Sequence, residues 1–169
     1  AADLDLTGAL YTQKMCMSMP PAQQAPEIDG KISAGEWDCA SALTGFFSFD
    51  TGCLMQDSPT LFLSYGPNAV YVLCVVPQED GRELLAQTTA RDGRVYKDDS
   101  VEVFLCPDGT NVYQIVVNSL GMIADLKNDD WEWDSECTAK AGTIAGGALP
   151  ETWGMVHTAY WFTEIAIPA

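Results

Sequence analysis

The chain reads as an all-β protein: an antiparallel β-sandwich of jelly-roll or immunoglobulin-like type, with one short helix near the N-terminus. Three observations predict this. Apolar residues recur with period two or in short uninterrupted runs. Gly/Pro-containing turns separate these runs at close spacing, as in sandwiches. Only one stretch carries a helix start. The 169 residues are 47% hydrophobic and 19% charged, a composition that can bury one domain core.

Residues 1–25 read as an N-terminal extension, and residues 26–169 as the sandwich. Within the extension, Ala1 to Tyr11 has the pattern of a short strand, and Met15-Cys16-Met17-Ser18-Met19-Pro20-Pro21 that of a linker. Pro26 to Gly30 reads as a strand entering a turn. Ser33 and Glu36 have capping-box spacing, which predicts one or two helical turns through Ala40, with Trp37 on the core side. Strands follow at Thr60–Tyr65 and Val70–Val76, joined by the Gly66-Pro67-Asn68 turn. Further strands are expected at Ser100–Cys106, Val112–Asn118, Leu120–Leu126 and Trp161–Ile167. Pro77 to Gly93 is polar and reads as loop.

Eight basic against 24 acidic residues give a net charge of −16. Nucleic acid and anionic membrane surfaces are excluded as partners, because both require basic side chains. Neutral ligands, divalent cations and basic partners remain. No apolar run reaches the ~20 residues of a membrane helix. The start, Ala1-Ala2-Asp3-Leu4, has neither the basic nor the apolar region of a leader and suits a mature secreted chain. Six cysteines at wide spacing, with no CxxC, fit up to three disulfides in an extracellular setting. Cys74 and Cys106 could equally be free thiols in strands.

The segment from Val95 to Leu105 carries the strongest chemical signal. On a strand, Val101, Val103 and Leu105 share one face, while Ser100, Glu102 and Phe104 share the other. Glu102 is then a mid-strand carboxylate among apolar neighbours, which needs donors, a cation or a polar ligand. Tyr96 stands at the rim. A ring that covers the C–H face of a sugar, beside a carboxylate that accepts from its hydroxyls, makes a carbohydrate site. Tyr96, Asp99 and Glu102 are the candidate contacts. The alternative is a structural glutamate paired with a nearby Lys or Arg.

A second cluster runs from Asp125 to Glu136. Asp125, Asp129, Asp130 and Asp134 offer the oxygen ligands that calcium takes, although the spacing is not an EF-hand. Trp131 and Trp133, two apart, would share a face on a strand and form a stacking platform.

Several ordered segments resemble the family 9 carbohydrate-binding modules and the wider DOMON-like sandwiches. They are Ile28-Asp29-Gly30 with Glu36-Trp37, Pro59-Thr60 through Val70-Tyr71-Val72, Tyr96 through Phe104, Tyr113-Gln114-Ile115 to Gly121, and Trp161 to Pro168. Together they extend from Pro26 to the end. The resemblance implies a non-catalytic module that binds polysaccharide or oligosaccharide, often with calcium, and no organic cofactor. It implies that Tyr96 replaces the first of two sugar-stacking tryptophans and that Glu102 is a sugar-binding glutamate. Val116 stands where the family has a basic contact. The family's last strands and second tryptophan lie beyond Ala169, so the sandwich is expected to be incomplete. Self-association or a partner chain could then complete the sheet, with residues 1–25 as a candidate donor strand.

Catalysis is not expected. His157 is the only histidine, GxSxG is absent, and Glu102 lies too close in sequence to Asp98 and Asp99 for the pair to flank a glycoside. Two other readings remain: a structural subunit of a surface assembly completed by strand addition, and a haem-b DOMON cytochrome using Met122 or Met155 with His157.

Overall fold

A computed structural model of the chain describes residues 17–79 and 81–169. The expected strand over Ala1 to Tyr11, and Cys16, lie outside the described residues. Eight strands form two antiparallel sheets: β1 (Ser41–Leu43), β2 (Thr60–Tyr65), β3 (Ala69–Pro77), β4 (Ser100–Leu105), β5 (Tyr113–Asn118), β6 (Ile123–Lys127), β7 (Thr138–Ala145) and β8 (Ala159–Pro168). One sheet has the order β1-β2-β3-β8-β7 and the other β4-β5-β6. The all-β sandwich expected from the sequence is the architecture found.

Alternation within the strands builds the interior. The inner face of the large sheet carries Leu61, Leu63, Val70, Val72, Ile165 and Ile167, which meet Val103, Leu105, Ile115, Val117 and Ile123 of the small sheet. The large sheet also buries its outer face. Phe62, Tyr71, Leu73, Val75, Tyr160 and Phe162 are roofed by Trp37, Leu149 and Trp153, with Ile28 and Ile32 packed alongside. β3 and β8 are thus buried on both sides and read as near-continuous apolar runs, as doubly covered strands do.

The two sheets are offset. Asp125 of β6 accepts the Ser135 N–H just ahead of β7, which seats β6 over the β7 side of the large sheet. The order β6-β5-β4 then carries β4 toward β2, with β1 beyond it. Ile115 and Val117 of β5 and Ile123 of β6 are buried, whereas Val101, Val103 and Leu105 of β4, and Leu61 and Leu63 of β2, are only half-buried.

Four expectations are corrected. Residues 34–39 form consecutive turns instead of a short helix. Glu36 does reach back to the Ser33 N–H (3.1 Å), but its other oxygen takes the Glu27 N–H at 2.7 Å, so it ties down a loop and does not open a helix. Pro26 to Gly30 lies against the core without pairing as a strand. β7, and the short β1, are strands where none was expected. Cys39, Cys53, Cys74, Cys106 and Cys137 are all free, so there is no disulfide among the described residues. Burial pushes the Cys74 thiol up to about 12, leaving it inert.

Candidate functional site

The outer face of the small sheet is the open one. Its central row, Glu102–Val116–Ala124, is set by the β4–β5–β6 register, and the next row is Phe104–Gln114–Leu126. A 3-10 turn, Val95–Lys97, lies on this face, with Val95 buried against Val116 and Ala124 and Met122 alongside. Val116 therefore serves as the floor of the turn, and that anchor presents the next residue, Tyr96, to solvent.

Tyr96 meets Trp131, which arrives from the turn after β6. Their ring centroids are 6.3 Å apart at an interplanar angle of 57°. Both rings are about half exposed, Tyr96 at 46% and Trp131 at 52%. Glu102 is exposed on the edge strand β4 and not recessed, and its partner is an amide, Gln114 Nε2 donating to Oε2 at 3.0 Å, where the structural alternative required a Lys or Arg. A carboxylate has about four acceptor positions, so one amide leaves most of its capacity for ligand hydroxyls. Phe104 lies exposed on the same face. Gln114 was missed by sequence reasoning. Its signal was there: across an antiparallel pair it sits diagonal to Glu102 on the same face, within reach of a long side chain.

Asp99 does not join this group. It accepts from the Arg82 guanidinium and from the Leu85 N–H at 2.7 Å, and so fixes the loop ahead of β4. Neighbouring Asp98 accepts from the Thr88 N–H (2.8 Å) and Asn118 Nδ2 (2.9 Å). Desolvation works against its charge, but these donors outweigh it and hold the carboxyl below its ordinary range.

The two tryptophans part company, because residues 131–137 do not form a strand. Trp133 packs edge-on to Tyr113, with centroids 5.4 Å apart, and Lys127 Nζ lies 5.3 Å from the Tyr113 ring centre. It lines a mainly apolar cavity of about 800 Å³ at one end of the sandwich, together with Val70, Leu105, Ile115, Cys137 and Ile167.

The four aspartates expected to bind calcium are also divided. Asp125 and Asp134 converge, joined by Asp92, with ligand oxygens within 4.8 Å of one another. Arg91 stands among them: its guanidinium donates to both Asp125 oxygens at 2.7 and 2.9 Å, to Asp134 at 3.2 Å and to the Ser135 carbonyl at 3.1 Å. Asp129 and Asp130 belong to a separate turn, where Asp130 accepts the Glu132 N–H at 3.0 Å. Arg91 thus occupies the middle of the cluster and offsets one of its three carboxylate charges, with Asp125 fully buried.

The residues considered for haem are separated too. Met122 packs under the small sheet's outer face, whereas Met155 packs on the large sheet's outer core. His157 lies 3.4 Å from Asp57 and edge-on to Tyr160.

Sequence reasoning gave no role to Glu164. It lies mid-strand in β8 on the outer face of the large sheet and is fully buried. One oxygen accepts the Gly30 N–H at 2.9 Å. The other oxygen and the Trp37 indole N–H are buried without a well-formed partner. Burial, with a smaller push from Glu36 and Asp29, raises the carboxyl to about 7 against the opposing pull of the Gly30 and Trp37 donors. Lys140, its cross-strand neighbour on β7, is exposed and forms no ion pair with it among the described residues. No family model matches the chain, and no curated protein matches it in sequence.

Proposed function

We propose that this protein binds carbohydrate without transforming it, on the outer face of the small sheet. One observation carries the reading: two half-exposed rings, Tyr96 and Trp131, come together from distant parts of the chain on a face that also presents Glu102 and Gln114. A tilted aromatic pair offers apolar surface to the C–H faces of sugar rings. The carboxylate and amide beside it supply an acceptor and a donor for hydroxyls. The end cavity is a poorer candidate, because its surface is mainly apolar, with polar groups confined to Asp134, Ser135 and Glu136 at one side, so most sugar hydroxyls would go unpaired there. The strong negative charge points to neutral rather than anionic glycans. Secretion or surface display, the expected setting, gives such a face its ligand.

A glycan array tests this, probed with the wild type and with Tyr96→Ala, Trp131→Ala and Glu102→Ala. Binding by the wild type, weakened about tenfold or more by each aromatic truncation, is expected. A wild type that binds no glycan, or binds equally well without both rings, overturns the proposal.

A further inference from the structure

The two ends of the sandwich carry opposite shapes. At the end where β2 begins, residues 46–55 project as a hairpin. Its base is pinned by the Gly45 and Phe46 N–H groups, which donate to Ser58 Oγ at 3.0 and 2.9 Å. Phe47 bridges Leu54, and the Ser48, Gly52 and Met55 N–H groups each donate to a carbonyl within the hairpin at 2.8 Å. This ordered frame holds apolar side chains in solvent. Phe49 at the tip is 102% exposed, and Phe47 and Leu54 are largely so. An apolar knob of this kind marks an interaction surface. At the other end, β2 finishes beside Val70, which with Leu105, Ile115, Trp133 and Ile167 lines the mainly apolar cavity of about 800 Å³.

We propose that the hairpin of one copy seats Phe49 in the end cavity of the next, so that copies of this chain join head to tail. Three observations select a second copy as the occupant. Knob and cavity match in character, since both are apolar. They lie at opposite ends of β2, so a chain cannot fill its own cavity with its own hairpin, whereas a neighbour can. Charge agrees at the contact. Asp50 follows Phe49 at the tip, and Lys127, with Nζ 5.3 Å from the ring centre of the cavity residue Tyr113, forms no ion pair among the described residues. Of the two acids at the side of the cavity, Asp134 is already paired with Arg91. The net charge of −16 opposes association at low ionic strength, but ~0.15 M salt screens it beyond about 8 Å. Because knob and cavity are different surfaces, the contact is heterologous and repeats from copy to copy, giving an open chain or a ring and not a closed symmetric dimer. It uses neither Tyr96 nor Glu102, so it stands apart from the sugar site.

Sedimentation velocity on the full chain in ~0.15 M salt tests this, with Phe49→Asp as the variant. Phe49 is fully exposed, so this substitution leaves the fold intact. The wild type is expected to grow beyond dimers as its concentration rises, whereas Phe49→Asp stays monomeric. The variant keeps its cavity. Fluorescently labelled Phe49→Asp should therefore co-sediment with the wild type and cap its chains, driving them toward dimers as the variant is added in excess. Placing Trp133→Asp in the labelled chain should abolish that co-sedimentation. A wild type that stays monomeric at every concentration overturns the proposal, including one whose cavity takes dodecanol instead. So does association that survives Phe49→Asp. A labelled variant that ignores a self-associated wild type would set hairpin against hairpin, and co-sedimentation that survives Trp133→Asp would place the socket elsewhere; either overturns the assignment. The Phe49→Asp comparisons decide whether or not the Trp133→Asp chain folds.

Discussion

Two glutamates occupy equivalent positions in this sandwich and have opposite fates. Glu102 and Glu164 each lie mid-strand on the outward face of a sheet. Glu102 is open to solvent with one amide partner, whereas Glu164 is sealed beneath the loop that carries Gly30 and Trp37. The difference lies in what covers each sheet. Residues 22–40 and 146–155 roof the large sheet, so its outward carboxyl belongs to the core. On the small sheet the 3-10 turn covers Val116 and Ala124, and the outward carboxyl on the β4 edge is left exposed. One face is committed to stability, and the other is the face proposed above for recognition.

The sharpest test of that division is Glu164→Ala. It leaves the buried Gly30 N–H without its acceptor and opens a void under the loop. A loss of about 2–4 kcal/mol is expected in denaturant unfolding, with any glycan binding intact in the folded fraction. Tyr96→Ala and Trp131→Ala should do the reverse: binding falls about tenfold while the unfolding midpoint changes little.

Acidity gives a further test of Glu164. Glu164 is raised to about 7 in the folded chain, above its value in the unfolded chain, so folding favours its protonated form. Its contribution to stability is full below the ordinary glutamate range and is lost as pH rises through about 7. Wild-type stability relative to Glu164→Gln should therefore decline between roughly pH 4.5 and 7.5, by about 1–3 kcal/mol. A flat difference across that window would mean that Glu164 is not held neutral. The smallest effect is expected at the aspartate cluster: because Arg91 already bridges Asp125 and Asp134, EDTA should leave the melting temperature unchanged.

The sequence made the sandwich legible where a strand was bounded by turns and rich in branched or aromatic residues, as in β2 to β6 and β8. It concealed β7, because Thr138–Ala145 is built from small and polar residues. A reason is visible in three dimensions: a side chain at Gly142 would press on the Phe162 ring at 2.8 Å and on the Gly30 carbonyl at 2.9 Å. Close approach of the Gly30 loop thus dictates smallness, and a sequence window does not show what lies above a strand. Tyr96 and Glu102 stand out in the sequence because both belong to one local pattern. That Trp131 joins them and Trp133 does not depends on the turn at Asn128 and Asp129, whose positive φ angles of 52° and 64° end the alternation. Glu164 had a readable signal, a lone acid between Phe162 and Ile165, but its partners lie more than a hundred residues away.

The Arg91 clamp has a mechanical consequence. It fastens β6 to the approach of β7, binding the two sheets along one flank like the spine of a book, while the flank at β4 has no such fastening among the described residues. Under load, the leaves should part first on the β4 side and turn about the guanidinium, so that Arg91 sets the pivot of the first yielding event.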